Sequence, residues 1–183
     1  MREILLGCGA SAALHKACDL ASKLTQAGHR VRAVLTPSAA RLIRPQLFEA
    51  LTGEPAWVDE FADGPGGRRG AMDHIELAGW ARLAVVAPAS ADLCSRLALG
   101  LADDLLTTAC LALPAGVPRL LCPAMNSHML DAPPIRRNLE VLTGDGWTVL
   151  MPGAGHLACG VEGQGRLAEV GEMLAAIERL AAE

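Results

Sequence analysis

Two short segments of the chain combine residues that could do chemistry. Residues 123–126 read PAMN and include Asn126, and residues 157–160 read LACG and include Cys159. An amide side chain both donates and accepts hydrogen bonds, and a thiol is acidic enough to deliver a proton. Each segment follows a short apolar run typical of a buried strand, PRLLC and WTVLM. Since open α/β sheets bind ligands beyond the carboxyl ends of their strands, both segments are predicted to lie at a ligand site.

A third candidate, His74, lies in DHIEL just before an apolar run over residues 82–87. It has no second histidine at helical spacing, and no other His/Cys set has ligand spacing, so no metal site is predicted. A lone histidine is more often structural than catalytic. Likewise, Asn126 could be a turn residue and Cys159 a buried thiol, and Met125 by itself is typical of packing.

The first predicted strand-to-helix turn, residues 7–12, reads GCGASA and resembles the dinucleotide fingerprint G-x-G-x-x-G/A. A nicotinamide site would place an acidic residue at the end of the second strand, but Thr36 stands there. Ser11, Thr36 and Ser38 could instead hydrogen-bond one phosphate near helix N-termini, which favours a mononucleotide such as FMN over NAD. The alternative is that Ser11 and Ser38 only cap their helices.

Composition narrows the class of protein. The chain has 183 residues and a formal charge of -4, which predicts one domain over residues 1–183 and no nucleic-acid partner. No apolar run has the length of a membrane span, and MREILLGCG enters a strand at once, so we expect no leader, no membrane partner and a cytoplasmic location. The six cysteines show no C-x-x-C spacing and are predicted to be reduced.

Short aliphatic runs alternate with helical patterns along the chain. This alternation predicts an α/β fold with a parallel sheet covered by helices on both faces. Residues 63–70, DGPGGRRG, are predicted to form a surface loop. The predicted strands are REILL, HRVRAVLT, RLAVVAP, PRLLC and WTVLM, and the predicted helices cover residues 11–27, a segment from about 38, and residues 91–113, 134–144 and 168–181.

Seven ordered segments resemble those of a known family over nearly the whole chain. They are the Ser11 turn ending in HKA, LTPSA, HIELAGWA, VAPASAD, GLADDLLTT, CPAMNSHM and LACGVEGQGRLAE. The chain is thereby similar to the flavin-containing cysteine decarboxylases, which act on phosphopantothenoylcysteine or on C-terminal cysteines of lantibiotic-like peptides. This resemblance implies a Rossmann-like, flavodoxin-type three-layer sandwich that binds FMN. It also implies homo-oligomers, trimers or multiples of trimers, with active sites between subunits.

The resemblance assigns roles to particular residues. It implies that His74 is catalytic, that Asn126 holds the substrate's carboxylate and amide, and that Cys159 acts in the reductive half of the reaction. The glycine-rich segment after Cys159 would close over the substrate, with Ala158, Gly160 and Arg166 as substrate-binding residues. The residues predicted to bind the cofactor are Gly9, Ser11, Thr36, Ser38, Pro88, Ser90 and Met125.

The chemistry follows from what a C-terminal cysteine lacks. Decarboxylation beside an amide nitrogen leaves a carbanion with no electron sink. The flavin that the resemblance implies would provide that sink by oxidising the cysteine thiol to a thioaldehyde, and loss of carbon dioxide then leaves an ene-thiol. Reduction of the ene-thiol, with a proton from Cys159, completes the reaction on phosphopantothenoylcysteine. Peptidyl-cysteine decarboxylases stop at the ene-thiol.

Several positions depart from the family pattern. Asp92 replaces an asparagine, and Val161 and Glu162 replace the aspartate of an ACGD motif. The leading prediction is decarboxylation of 4'-phosphopantothenoylcysteine to 4'-phosphopantetheine in coenzyme A biosynthesis, because LACG favours the full reaction. The alternative is a peptidyl-cysteine decarboxylase that forms a C-terminal ene-thiol. A third class is a catalytically silent regulatory subunit, which the intact His74, Asn126 and Cys159 disfavour.

Overall fold

The computed structural model describes residues 1–59, 72–156 and 162–182. The strands are β1 Glu3–Cys8, β2 Arg30–Leu35, β3 Ala56–Trp57, β4 Leu83–Ala89, β5 Arg119–Pro123, β6 Trp147–Val149, β7 Gly153–His156 and β8 Glu162–Arg166. The helices are α1 Leu14–Gln26, α2 Pro37–Ala40, α3 Pro45–Thr52, α4 Asp73–Trp80, α5 Ala91–Leu99, α6 Leu105–Leu111, α7 Ser127–Asp131, α8 Pro133–Gly144 and α9 Val170–Ala182.

Six strands form one parallel sheet in the order β3-β2-β1-β4-β5-β6. Without the two-residue strand β3, the remaining order is the flavodoxin-like 2-1-3-4-5. The order reverses between β1 and β4, which pair from Ile4 with Leu83 to Gly7 with Val86. The predicted flavodoxin-type α/β fold is therefore confirmed, and its switch point lies between β1 and β4.

The sheet is covered on both faces, as predicted. Alternation along β1 sends Ile4 and Leu6 into one apolar cluster and Leu5 into another. The first cluster contains buried residues of α1, α3 and α9, and the second contains buried residues of α4, α5, α6 and α8. These two cores on opposite faces make the three layers of the sandwich.

The single helix predicted over residues 91–113 is wrong, because two helices occupy this stretch. Helix α5 ends at Gly100, whose φ of 65° is in the left-handed region that favours glycine. Asp104 then begins α6 with a capping box, in which its side chain accepts from the Thr107 N–H at 2.8 Å. The C-cap glycine and the new N-cap together stop one helix and start the next.

One helix start also differs from prediction. Helix α1 begins at Leu14 instead of Ser11, whereas α2 begins at Pro37, close to the predicted start, with Thr36 as its N-cap. Strands β7 and β8, which come before and after the LACG segment in the chain, pair in antiparallel fashion. The predicted surface loop at residues 63–70 lies outside the described residues.

The described cysteines form no disulfide with one another. Burial raises the pKa values of Cys94, Cys110 and Cys122 to about 12, and that of Cys8 further still. These thiols therefore pack as apolar groups. In the described part of the chain, no helix is long and apolar enough to cross a membrane, and no group of three His, Cys, Asp or Glu residues could hold a metal ion.

Candidate functional site

Backbone hydrogen bonds join the loops at the carboxyl ends of the sheet strands into one continuous row. The Thr36 N–H donates to Cys8 O at 3.0 Å, and the Gly9 N–H donates to Pro88 O at 2.9 Å. The row continues from the Ala124 N–H to Ala89 O at 2.9 Å and from the Met125 N–H to Gly165 O at 3.0 Å. We call this row, from Thr36 through Gly9, Ser90 and Asn126 to β8, the carboxyl edge. It brings most of the predicted cofactor residues and Asn126 to one side of the sheet.

Gly9 is required at the carboxyl edge because the two loops at the switch point approach closely. A Cβ atom at Gly9 would lie 2.8 Å from Pro88 O and 3.0 Å from Leu93 Cδ2. Pro88 itself is buried and follows a cis peptide bond. The loop after β1 can thus lie against the end of β4 and the start of α5 only without a side chain at position 9.

The hydroxyls at this edge act as local acceptors. Ser11 Oγ accepts from the Ala13 N–H at 3.2 Å, Thr36 Oγ1 from the Ala39 N–H at 3.2 Å, and Ser90 Oγ from the Leu93 N–H at 3.2 Å. Thr36 and Ser90 are the N-caps of their helices, whereas Ser38 is exposed and stands inside α2, so the alternative in which Ser11 and Ser38 are the caps is wrong. A hydroxyl that accepts one N–H still has an O–H to donate.

This donor set fits an anionic flavin phosphate. Helix α1 has no acidic residue in its first turn, and its N-cap, Ala13, makes no side-chain cap hydrogen bond. The dipole of α1 therefore favours a negative charge at its N-terminus, beside the Ser11 turn. Hydroxyl donors and a glycine-lined approach meet the needs of a phosphate, and the first turn of α1 has no carboxylate to repel it.

Asn126 is held by its position directly after β5. It is the N-cap of α7, and its Oδ1 accepts from the His128 N–H at 2.8 Å. The side chain is half-buried. This bond fixes the amide plane, which sets the direction in which the Nδ2 group donates.

His74 stands in the first turn of α4, next to buried Asp73, and is half-buried. Helix α4 leads through Ala81 into β4, with the Ala81 N–H bonded to Leu77 O at 3.0 Å. Helix α4 runs back along the sheet before β4 begins, and Glu76 of the same turn lies 3.2 Å from Arg32 of β2. That His74 and Asn126 belong to one site stays a prediction.

Arg166 ends β8 and is exposed, with its Nη2 3.4 Å from Glu169 Oε1. Lys16 of α1 approaches the same carboxylate at 3.0 Å and donates to Leu167 O at 3.1 Å. The hydrogen bond from Lys16 lowers the pKa of Glu169. These contacts tie the end of the hairpin to α1. The predicted substrate residues Ala158, Cys159 and Gly160, together with Val161, lie outside the described residues.

The structure gives the contacts of two positions that the sequence analysis discussed. Met125, predicted as a cofactor residue, is half-buried and packs against the second apolar cluster. Asp92, the departure from the family pattern, is exposed and forms a 3.1 Å ion pair with Arg96. Arg96 also binds Asp103 and Asp104, so Asp92 belongs to a charge cluster at the α5–α6 corner.

The contact of β8 with the Asn126 loop was missed in the sequence. Gly163 and Gly165 alternate along β8, so they share one face of the strand, and that face touches Met125 and Ser127. The pattern G-x-G in VEGQGR was the available signal, because alternate glycines in a strand mark a close backbone approach.

The parallel sheet, the switch point and the hydroxyl-lined edge define a nucleotide-binding α/β protein. The Flavoprotein family matches residues 1–182, and the chain belongs to this family. The match confirms the coarser cofactor prediction, a flavin.

Individual relatives also support membership of this family. The coenzyme A biosynthesis bifunctional protein CoaBC of Bacillus subtilis (strain 168) is 42% identical over 182 residues, which cover 100% of this chain but only 44% of that protein. The chain thus spans less than half the length of this relative. A PPC decarboxylase mutant, complexed with pantothenoylaminoethenethiol, is 30% identical with a TM-score of 0.83, covering 100% of this chain and 99% of that one. SpaF, an FMN-dependent cysteine decarboxylase, is 28% identical with a TM-score of 0.80, covering 99% and 98%. The resemblance to flavin-containing cysteine decarboxylases is confirmed.

Proposed function

We propose that this chain catalyses the FMN-dependent decarboxylation of 4'-phosphopantothenoylcysteine to 4'-phosphopantetheine, a carboxy-lyase step of coenzyme A biosynthesis. The observation that carries the proposal is the carboxyl edge, which joins the loops of Thr36, Gly9 and Ser90 to Asn126 and to strand β8. Similarity to CoaBC and to a PPC decarboxylase, each over the full length of this chain, supports it.

The residues of the edge divide the work between cofactor and substrate. The O–H groups of Ser11, Thr36, Ser38 and Ser90, with backbone at Gly9, would hold the FMN phosphate. Bound FMN supplies the two-electron oxidation of the substrate thiol and the later return of those electrons. Pro88 and Met125 complete the wall of this crevice.

Asn126 would position the reacting end of the substrate. Its Nδ2 group donates to the cysteine carboxylate, while the remaining lone pair of Oδ1, already bonded to the His128 N–H, accepts from the substrate amide. Holding both groups orients the Cα–carboxylate bond for cleavage, so that carbon dioxide leaves once the neighbouring carbon is a thioaldehyde. The product of this half-reaction is the ene-thiol.

His74 would move the thiol proton. An imidazole titrates near neutrality and can take the thiol proton during oxidation. Cys159 would then donate a proton to the ene-thiol as the electrons return, giving the saturated thiol. The related PPC decarboxylase is a cysteine-to-serine mutant in complex with an aminoethenethiol, which supports a role for a cysteine after the ene-thiol stage.

The second candidate is a peptidyl-cysteine decarboxylase, favoured by the structural similarity to SpaF and by Val161 and Glu162 in place of ACGD. This enzyme would release a peptide ene-thiol. A homo-oligomer with sites between subunits, one domain over 1–183 and a cytoplasmic location also remain predictions.

One experiment separates these functions. The purified protein is incubated with phosphopantothenoylcysteine and, separately, with a peptide ending in cysteine, and products are identified by mass spectrometry. We expect the first substrate to lose carbon dioxide with no net oxidation, and the protein to be yellow with noncovalent FMN released on denaturation. Turnover of the peptide alone would establish the second candidate. A colourless protein that binds NAD but not added FMN would contradict both.

A further inference from the structure

Strand β8 lies directly on the loop that carries Asn126. The Met125 N–H donates to Gly165 O at 3.0 Å, so the residue before Asn126 is bonded to the hairpin. The residue after Asn126 is also in contact, because a Cβ atom at Gly163 would overlap Ser127 Oγ and lie 3.4 Å from Ser127 Cβ. Asn126 is therefore flanked on both sides by contacts with one strand.

The absence of side chains at Gly163 and Gly165 is what allows this approach. A Cβ atom at Gly165 would overlap Met125 O, and its φ of 136° is also unfavourable for other residues. Gly153, on the paired strand β7, has nothing within 4 Å of its Cβ position. The steric requirement for glycine is thus specific to the face of β8 that meets the Asn126 loop.

The contact between Ser127 and Gly163 involves no hydrogen bond from the Ser127 side chain. Its Oγ is buried and has no hydrogen-bond partner among the described residues. Replacing Ser127 by alanine would therefore break no hydrogen bond seen in this part of the structure, while it would remove the atom that blocks a side chain at position 163.

We propose that Gly163 and Gly165 are positioning residues, which seat β8 on the backbone of Met125 and Ser127 and so fix Asn126 against the substrate. This inference rests on the proposed role of Asn126. A methyl group at position 165 would meet the Met125 backbone and push the strand from the loop, and one at position 163 would have to displace the buried Ser127 hydroxyl beside Asn126. Displacements of about 1 Å near a reacting group reduce rates by up to about a hundredfold.

The test is a pair of compensating substitutions. Gly163→Ala is expected to lower kcat/KM for phosphopantothenoylcysteine about tenfold to a hundredfold while the protein keeps its FMN. Ser127→Ala alone should leave kcat/KM within about twofold of wild type. The double variant should recover most of the loss, since the remaining Cβ–Cβ separation of 3.4 Å is ordinary contact. Gly153→Ala, in the same hairpin, is the matched control and should behave as wild type.

A second readout does not depend on turnover. The Met125 amide is bonded to Gly165 O, so its hydrogen exchange reports whether β8 is seated. Exchange at Met125 should accelerate in Gly163→Ala and return to the wild-type rate in the double variant. If wild type turns over neither substrate, the proposed function fails, but this exchange measurement still tests the seating of the strand.

Several results would overturn the inference. Equal losses in Gly163→Ala and Gly153→Ala would show a general effect of glycine on the hairpin. A double variant no better than Gly163→Ala would show that Ser127 does not set the contact. If Gly163→Ala fails to fold, the double variant must fold and turn over; its failure too would contradict the inference.

Discussion

The two ends of the parallel sheet are built from different chemistry. At the amino ends, Glu3, Arg30 and Arg82 stand at the starts of adjacent strands, with Glu3 Oε1 3.5 Å from Arg30 Nη1 and Glu3 Oε2 4.0 Å from Arg82 Nε. Arg32 lies nearby, 3.3 Å from Glu54 and 3.2 Å from Glu76. We call this group the amino edge.

Aromatic rings complete the amino edge. The guanidinium of Arg32 lies 4.5 Å from the ring centre of Trp80 and 5.5 Å from that of Trp57. Its charge is therefore neutralised and stacked within the protein. The carboxyl edge instead has glycine, serine, threonine and asparagine, joined by backbone bonds. One end of the sheet thus uses its charged groups on itself, whereas the other is the end that we propose binds the cofactor and the substrate.

The largest effect is expected from His74→Asn. The variant should keep its flavin and its fold but lose turnover by about 10² to 10⁴-fold, because proton transfer by a placed imidazole contributes on that scale. Decarboxylation rates and flavin absorbance measure the two properties separately. Turnover at nearly the wild-type rate would return His74 to a structural role.

Cys159→Ser tests whether the reaction proceeds beyond the ene-thiol. Oxidation and decarboxylation should continue, while the final protonation fails because a hydroxyl is far less acidic than a thiol. The variant should accumulate a product about two mass units lighter than phosphopantetheine, the mass of two hydrogens, detected by mass spectrometry. Equal ratios of reduced to ene-thiol product in wild type and variant would rule out proton donation by Cys159.

Gly9→Ala should weaken flavin binding with less effect on folding. The added Cβ atom would lie 2.8 Å from Pro88 O, so the two loops of the crevice must separate. Overpacking of this kind costs about 1–3 kcal/mol, which corresponds to roughly a tenfold to hundredfold weaker Kd for FMN. Fluorescence titration of the apoprotein with FMN measures this Kd. Gly171→Ala, in α9 with nothing within 4 Å of its Cβ position, is the control.

Arg32→Met at the amino edge should lower the stability of the fold and leave kcat nearly unchanged. The side chain of Arg32 is 15% exposed, and its loss removes two ion pairs and two ring contacts. We expect a loss of about 2 kcal/mol and a Tm lower by roughly 4–8 °C, with kcat little changed. Arg136→Met, which removes an exposed pair with Asp131, should shift the Tm far less. A large fall in kcat would contradict the division between the two edges.

The smallest effect is expected from Asp103→Asn at the α5–α6 corner, which lies in neither edge. This substitution should change how the Tm depends on pH in acid. The hydrogen bond from Arg96 lowers the pKa of Asp103. A carboxylate with a lowered folded-state pKa stabilises above its ordinary pKa of about 4, and that stabilisation is lost as the pH falls through the folded-state pKa. Asp103→Asn should therefore slightly reduce the Tm at pH 7 and reduce its dependence on pH below about 4. Parallel Tm curves for wild type and variant would contradict the assignment.

The sequence determined the fold class and the order of strands and helices along the chain. Short apolar runs between helical patterns define buried parallel strands, and the segments that follow those strands must meet at one edge, so Ser11, Thr36 and Asn126 could be placed there from the sequence alone. Helix boundaries were less accurate: the apolar periodicity of residues 91–113 continues through Gly100, where local φ ends one helix.

Only the tertiary structure decided which residues contact each other when they lie far apart in sequence. The contact between β8 and the Asn126 loop joins residues that lie far apart in sequence, and the charges of Arg32, Glu54 and Glu76 come from three different elements. Periodicity reports which face of an element is apolar, but not which partner meets that face. Pairings such as Gly163 with Ser127 depend on steric fit between separate elements, which exists only once the chain is folded.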